Sequence, residues 1–167
     1  MQLILVRHAP AELRSEDGGS QTDDTLRVVT PKGRRKMRRA ASGLVATVPM
    51  PNVLATSPLV RAVETAEIIG EAYDRLLPET VPELRPGAGA DAMIAWLRHL
   101  PDEHRVVAVG HEPDLSLLAS VLVGSGKHPV LGFKKGGACL LIVPEGVTPG
   151  AATLEWLMTP RQLRRLA

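Results

Sequence analysis

The sequence predicts a three-layer α/β fold in which helices flank both faces of a mostly parallel sheet. Short runs rich in Leu, Ile and Val alternate with longer segments whose apolar residues recur at helical spacing. The predicted order is strand, helix, strand, helix, helix, strand, helix and two final strands. Since parallel strands are joined by crossover helices, this order indicates a parallel sheet that the last two strands can extend antiparallel.

The first strand is predicted at residues 3–6, and a polar surface loop follows from residue 11 to residue 29. The pair Thr30-Pro31 predicts the start of the first helix, because Thr is a preferred N-cap and Pro suits the first helical position. Six apolar residues then give this helix one buried face: Met37, Ala40, Ala41, Leu44, Val45 and Val48. Pro49 and Pro51 end it.

The chain repeats this alternation after the first helix. Ser57-Pro58 predicts another cap and helix start, and Asp91 predicts the cap of a third helix. The remaining predicted segments are a strand at 52–57, a loop at 79–90, a strand at 105–111, a helix at 114–123, a loop at 124–136 and strands at 138–143 and 152–158.

Length and composition indicate a single domain over residues 1–167, with 44% hydrophobic and 23% charged residues. A formal net charge of +2 does not call for nucleic acid or an anionic membrane as a partner. No run approaches the roughly 20 apolar residues that span a bilayer. Cys139 is the single cysteine, so no internal disulfide forms, and we expect a cytoplasmic monomer with Cys139 in the core.

Three predicted strands end at polar residues that suit an anion. They run into Arg7-His8, into Thr56-Ser57 (with Arg61 one turn into the next helix) and into Gly110-His111. In parallel sheets, ligands gather at the carboxyl ends of the strands. Two arginines and two histidines from distant segments are therefore expected to meet in one crevice. Guanidinium groups and helix N-termini are good partners for the oxygens of a phosphoryl group.

These motifs resemble those of the histidine phosphatase superfamily, which includes the phosphoglycerate mutases. The segment LILVRHAPAE resembles its Arg-His-Gly signature, TSPLVRAVETAEII its second motif, and VVAVGHEPDLSLLA its third, a strand that ends in Gly-His. VPELRP resembles the segment that carries an acidic residue in many members. The motifs occur in the right order from Leu3 to about Pro160, and the short chain is most similar to the SixA-type phosphohistidine phosphatases.

The resemblance implies a role for each matching residue. His8 becomes the nucleophile that is phosphorylated, while Arg7, Arg61 and His111 bind the substrate phosphate and assist catalysis. The implied enzyme needs no metal and no cofactor. Its implied partner is a phosphorylated protein with a phosphohistidine domain, or else a small phosphorylated molecule. The loop at 11–29 and the segment at 84–90 are expected to shape that choice.

Two positions depart from the family pattern or leave a role open. Ala9 replaces the signature glycine, which predicts that the backbone there does not need a positive φ. Glu83 occupies the position of a proton donor in many members, although SixA-like members are often described as working without one. A leaving imidazole is readily protonated and needs less help than an alkoxide. Glu83 is thus a possible acid, against a structural or loop-capping role.

Other functions also fit parts of the sequence. A metal hydrolase could use His8 and His111 with Glu83 or Glu112, but adjacent arginines repel a divalent ion. A nucleic-acid module could use the basic run at 32–39, which also fits a solvated helix face or a dock for an acidic phosphoprotein. With four aromatic residues in the chain, base stacking is poorly supported. A phosphate-binding module without catalysis is the last alternative.

Overall fold

A computed structural model describes residues 1–13, 24–124, 126 and 128–167 of the chain. The sheet has six strands: β1 (Gln2–Arg7), β2 (Val53–Thr56), β3 (Glu79–Thr80), β4 (Arg105–Gly110), β5 (Ala138–Ile142) and β6 (Thr153–Met158). Their order across the sheet is β3-β2-β4-β1-β5-β6. The first four of these pair in parallel, whereas β5 is antiparallel to both β1 and β6. The predicted fold class, a mostly parallel sheet with antiparallel final strands, is confirmed.

The described residues form five α-helices: α1 (Pro31–Thr47), α2 (Val60–Ala72), α3 (Gly89–Leu97), α4 (Asp114–Val123) and α5 (Pro160–Leu163). Single 3-10 turns lie at Asp24–Leu26 and Pro82–Leu84. None of these helices has the length and apolar character that a bilayer crossing requires. The N-cap predicted for α1 is confirmed, since the Thr30 hydroxyl accepts from the Gly33 amide at 3.0 Å.

The hydrophobic core lies on both faces of the sheet. Leu3 and Leu5 of β1 pack with residues of α3 and α4, whereas Ile4 and Val6 pack with residues of α1 and α2. Successive strand residues point to opposite faces, so a strand buried on both sides reads as an unbroken apolar run. Cys139 is fully buried in this core, as predicted, and burial raises the pKa of its thiol to about 12.

Several predicted boundaries are wrong for local reasons. Helix α2 begins at Val60 and not at Ser57-Pro58, because the Ser57 hydroxyl accepts from the Leu59 amide and contacts His111 instead of capping a helix. Asp91 lies within the first turn of α3, which starts at Gly89. The predicted loop at 79–90 contains β3 and a 3-10 turn. Of the predicted loop at 11–29, residues 14–23 lie outside the described residues.

Helix α5 has no counterpart among the predicted elements. Its start carries a capping box, in which Thr159 accepts from the Gln162 backbone while the Gln162 side chain accepts from the Thr159 amide. The spacing Thr-x-x-Gln is a known sequence signal for a helix start. The signal was present, but the helix is only four residues long.

Candidate active site

The parallel strands β1, β2 and β4 bring their carboxyl ends to one edge of the sheet. Arg7 at the end of β1 lies opposite Gly110 of β4, and Thr56 of β2 lies opposite Val109. The residues that follow these strands, among them His8, Ser57 and His111, therefore lie at the same edge.

A cleft of about 280 Å³ opens there. It is lined by Arg7, His8, Asp24, Arg27, Arg61, Pro86, His111, Glu112 and Lys135. The structure thus brings together four of the five side chains that the sequence analysis singled out. Four cationic side chains share the cleft with two histidines, which is the charge pattern expected of an oxyanion site.

The backbone carbonyl of Ala9 fixes the tautomer of His8. Its Nδ1 lies 2.7 Å from the carbonyl oxygen of Ala9. Because a carbonyl oxygen can only accept, Nδ1 carries the proton and donates, which leaves the lone pair of the neutral ring on Nε2. Burial, followed by the charges of Arg61, Arg7 and Lys135, lowers the pKa of His8 to about 4, although the Ala9 contact acts in the opposite direction. A neutral imidazole is therefore the resting form at neutral pH.

Ala9 also connects the β1 loop to helix α2. Its amide donates to the Thr65 hydroxyl at 2.9 Å, and that hydroxyl donates to the Arg61 carbonyl at 2.6 Å. Ala9 is fully buried and is not among the residues with positive φ, as the departure from glycine predicted. The same short chain of bonds fixes the backbone of both His8 and Arg61.

Arg61 is buried and is oriented by Asp24. Its Nη1 donates to the Asp24 carbonyl at 2.6 Å, and its Nη2 lies 3.0 Å from the carboxylate oxygen Oδ2. The other carboxylate oxygen lies 2.7 Å from Arg27. Asp24 therefore places a negative charge inside the cationic cleft and holds two of its arginines.

His111 contacts a side chain from the end of β2. Its Nε2 lies 2.8 Å from the Ser57 hydroxyl, which also accepts from the Leu59 amide. Burial first, and then the charges of His8 and Arg61, lower the pKa of His111 to about 3. Like His8, it is neutral at physiological pH.

The loop before β5 clamps Arg7 from the opposite side. Nη1 of Arg7 donates to the Phe133 carbonyl at 2.6 Å, and the Arg7 amide donates to the Gly137 carbonyl at 3.0 Å. Gly136, at a φ of 78°, turns its amide toward the carbonyls of Arg7 and His8. That left-handed conformation is one that glycine adopts without strain.

Glu112, two residues before the start of helix α4, holds this loop in place. One carboxylate oxygen accepts from the Phe133 amide and from the Ser116 hydroxyl, each at 2.7 Å. The other accepts from the Ser116 amide at 3.3 Å. Since the Phe133 carbonyl accepts from Arg7 while its amide donates to Glu112, Glu112 acts on Arg7 through the backbone of one residue.

Three buried donor-capable atoms of the cleft residues have no hydrogen-bond partner within the described part of the chain. They are Nε of Arg7, Nε of Arg27 and Nδ1 of His111. Buried polar atoms are normally satisfied, so several unsatisfied donors in one cleft indicate where a ligand oxygen can accept. Arg7 and His111 are residues predicted to bind phosphate.

Glu83 is the predicted site residue that does not join this group. It lies in the 3-10 turn Pro82–Leu84, is half-buried, and is not among the described residues that line the cleft. The neighbouring Pro86 is the part of this segment that reaches the cleft.

Asp24, Arg27 and Lys135 line the cleft although they lie outside the sequence motifs. For Lys135 a signal existed: β5 is antiparallel to β1, so the residues just before β5 must lie beside the end of β1. Burial and the charges of Arg7, Arg27 and Arg61 lower the pKa of Lys135. Asp24 and Arg27 lie near the end of the predicted polar loop at 11–29, and no pattern in the sequence indicates that they line the cleft.

A doubly covered, mostly parallel sheet with a cationic, two-histidine cleft at its strand ends defines an α/β protein built to handle phosphoryl groups. Comparison with known proteins gives the family. Residues 3–86 match the model of the histidine phosphatase superfamily (branch 1), and the chain belongs to that superfamily. It is accordingly an enzyme of the histidine phosphatase type with a phosphoglycerate mutase-like fold.

Three similar proteins span nearly the whole chain. The phosphohistidine phosphatase SixA of Escherichia coli is 29% identical over 98% of this chain and 97% of its own. An uncharacterized protein of Picosynechococcus sp. is 31% identical over 93% of this chain and 89% of its own. Among solved structures, the protein histidine phosphatase SixA complexed with tungstate has a TM-score of 0.83 at 25% identity, covering 98% of this chain and 99% of that one.

Proposed function

We propose that this protein hydrolyses phosphohistidine on other proteins by way of a phosphorylated His8. The observation that carries the proposal is the contact between Nδ1 of His8 and the Ala9 carbonyl, which leaves Nε2 unprotonated beside the guanidinium groups of Arg7 and Arg61. A neutral, oriented imidazole in a cationic cleft suits in-line attack on phosphorus.

In the first step, Nε2 of His8 forms a bond to phosphorus while the bond from phosphorus to the substrate nitrogen breaks. The other ring nitrogen of the departing imidazole takes up one proton from solvent water, so the ring leaves in its neutral form. Arg7 and Arg61 bind the equatorial oxygens, on which the transition state spreads its charge, and so supply most of the electrostatic stabilisation. In the second step, water attacks the phosphorus of phosphorylated His8, releasing inorganic phosphate and restoring the neutral ring.

The carboxylates at the cleft favour a phosphoramidate over an alcohol ester as substrate. Glu112 accepts three hydrogen bonds, and Asp24 pairs with Arg27 and Arg61, so both are arranged as anionic acceptors and not as proton donors. Glu83 is not among the described lining residues. The imidazole ring of a phosphohistidine is basic enough to be protonated before the N–P bond breaks, whereas the ester oxygen of a monoester is not and needs an acid as it departs.

Ser57 and His111 complete the phosphate site. With the Ser57 hydroxyl donating to Nε2 of His111, the ring proton lies on Nδ1, the buried atom that has no partner among the described residues. In this arrangement Nδ1 donates to a phosphoryl oxygen. His111 then stabilises the transferring group as a neutral donor.

Similarity to the phosphohistidine phosphatase SixA over almost the full chain supports the substrate class. Tungstate, bound in a SixA structure of the same fold, is a tetrahedral oxyanion like phosphate. That ligand fits the proposal that the cationic cleft receives a tetrahedral phosphoryl group.

The test is a phosphate-release assay on a phosphohistidine protein and a panel of phosphate monoesters, with wild type and Glu83→Gln compared. We expect the phosphohistidine protein to have the highest kcat/KM and Glu83→Gln to change it less than about threefold. A monoester turned over with much higher kcat/KM, and losing that activity in Glu83→Gln, would instead identify a small-molecule phosphomonoesterase with Glu83 as its acid.

A further inference from the structure

A second groove, of about 370 Å³, lies beside the catalytic cleft. It runs between helix α1, the loop before β5 and helix α5. The two depressions meet at Lys135, which lines both of them. Pro10, two residues beyond His8, lines the groove as well. A molecule whose phosphoryl group sits at His8 can therefore continue directly into this groove.

The groove is strongly and uniformly basic. Five cationic side chains line it: Lys36, Lys134, Lys135, Arg161 and Arg164. Among the described residues, no acidic side chain lines the groove, and none of the five is joined in an ion pair. By contrast, Arg34 on the same helix is already paired with Glu64. This positive charge is uncompensated within the described part of the protein.

The floor of the groove is apolar. Met37 and Ala40 of α1 contribute to it and are 2% and 1% exposed. Gly136 lies between Met37 and Pro160, since a Cβ added to it would be 3.5 Å from the Met37 sulfur and 3.7 Å from Cβ of Pro160. An apolar floor with a cationic rim matches a polypeptide segment in which acidic side chains flank an apolar one.

We propose that this groove binds an acidic segment of the phosphoprotein substrate and thereby places its phosphohistidine at His8. The inference rests on the proposed function and adds to it the surface that selects the protein partner. A nucleic acid fits the groove less well. None of its described lining residues is aromatic, and sequence-tolerant binding of single strands relies on stacking.

The test uses two synthetic peptides with the same central histidine, one flanked by Asp and Glu and the other by Asn and Gln. The groove variant is Lys36→Glu with Arg161→Glu, both exposed and outside the catalytic cleft. The matched control is Arg38→Glu with Arg165→Glu, which makes the same charge change at exposed positions outside the groove. Hydrolysis of p-nitrophenyl phosphate reports the integrity of the cleft.

Binding is measured first, by fluorescence anisotropy on the unphosphorylated peptides. We expect the wild type to bind the acidic peptide about tenfold more tightly than the neutral one, with the preference shrinking as salt is added. The groove variant should lose the preference, and the control should keep it. Equal binding of the two peptides, or a preference that survives in the groove variant, overturns the inference. So does an RNA oligomer that binds the groove more tightly than the acidic peptide.

Turnover of the phosphorylated peptides is measured separately. The wild type could prefer the acidic peptide in binding but hydrolyse neither phosphohistidine peptide. That result would support the groove as a binding site for acidic segments and contradict the proposed function. A wild type that hydrolyses both phosphopeptides equally well and binds both equally supports the proposed function and contradicts the groove.

Discussion

The imidazole rings of His8 and His111 lie with their centroids 5.1 Å apart and their planes tilted by 49°. At this separation a proton on one ring disfavours a proton on the other, in addition to the effect of burial and of the nearby arginines. Two neutral histidines thus line a cleft whose net charge comes from arginine and lysine. Catalytic competence and stability should both depend on this neutrality.

The first prediction concerns pH. NMR titration of the imidazoles should show both rings neutral at pH 6, with the proton of His8 on Nδ1, because the pKa values of His8 and His111 lie at about 4 and about 3. An unfolded histidine titrates near 6.5. The unfolded state therefore binds more protons between these values, and stability must fall as the pH drops from about 6.5 toward 4. Each histidine contributes a slope of about 1.4 kcal/mol per pH unit.

The control for this prediction is His8→Asn, whose amide can keep the hydrogen bond to the Ala9 carbonyl without titrating. Urea unfolding in phosphate-free buffer should give a shallower pH dependence for this variant than for the wild type. The carboxylates contribute equally to the pH dependence of unfolding in both proteins, so the difference between the two slopes reports the titration of His8. Identical slopes would contradict the assignment of a buried neutral ring.

The second prediction concerns Asp24, whose carboxylate lies among the cations of the cleft. Asp24→Asn removes a negative charge from the site, while the bond from Arg61 to the carbonyl of residue 24 remains to orient the guanidinium. Inorganic phosphate should then inhibit about fivefold more strongly, a gain of roughly 1 kcal/mol for a partly exposed pair. Product-inhibition constants measure the effect. Weaker inhibition would mean that the carboxylate mainly positions Arg61.

Much of the site could be predicted because parallel strands carry their carboxyl ends to a common edge. The buried strands that end at Arg7 and at His111 can be recognised in the sequence, because each apolar run stops abruptly at a polar residue. The order of the strands could not be predicted in this way. The apolar pattern of residues 105–110 does not indicate that β4 lies between β1 and β2 in the sheet.

The sequence does not reveal contacts at the site between residues that are far apart in the chain. Arg7 is held by Phe133, 126 positions away, and Arg61 by Asp24, 37 positions away. Such contacts depend on how loops pack over the sheet edge, and they leave no periodic trace. The sequence pattern favours Ser57 as a helix cap, but a serine hydroxyl can equally well contact a histidine, as Ser57 contacts His111.

The third prediction concerns Glu112 as a positioning residue for Arg7. Glu112→Gln weakens the bond to the Phe133 amide, and the loop that clamps Arg7 should loosen. We expect a stability loss of about 1–2 kcal/mol and a higher KM for phosphorylated substrate. Ser116→Ala is the matched control, because it removes one bond to Glu112 but leaves the Phe133 contact in place. Equal increases in KM for both variants would show that Glu112 acts through α4 and not through the loop.

The fourth prediction concerns metal dependence. The proposed chemistry assigns charge stabilisation of the phosphoryl group to Arg7, Arg61 and His111, which do the electrostatic work that a divalent ion would otherwise do. Prolonged treatment with a chelator should therefore leave kcat/KM unchanged. Activity that disappears with the chelator and returns with zinc or manganese would support the metal-hydrolase alternative.

The last prediction concerns the nucleophile. Rapid quenching with a substrate carrying labelled phosphate should trap the label on His8 in a form that is stable in base and labile in acid, because an N–P bond hydrolyses when its nitrogen is protonated. His8→Ala and His8→Asn should both lose turnover by more than about a thousandfold. They should differ in stability, since only Asn can replace the buried hydrogen bond to Ala9, a difference of about 1 kcal/mol. A label that survives acid, or a His8→Asn enzyme with near-normal turnover, would place the nucleophile elsewhere. Loss of activity with equal stability in the two variants would show instead that the Ala9 contact is not what fixes the ring.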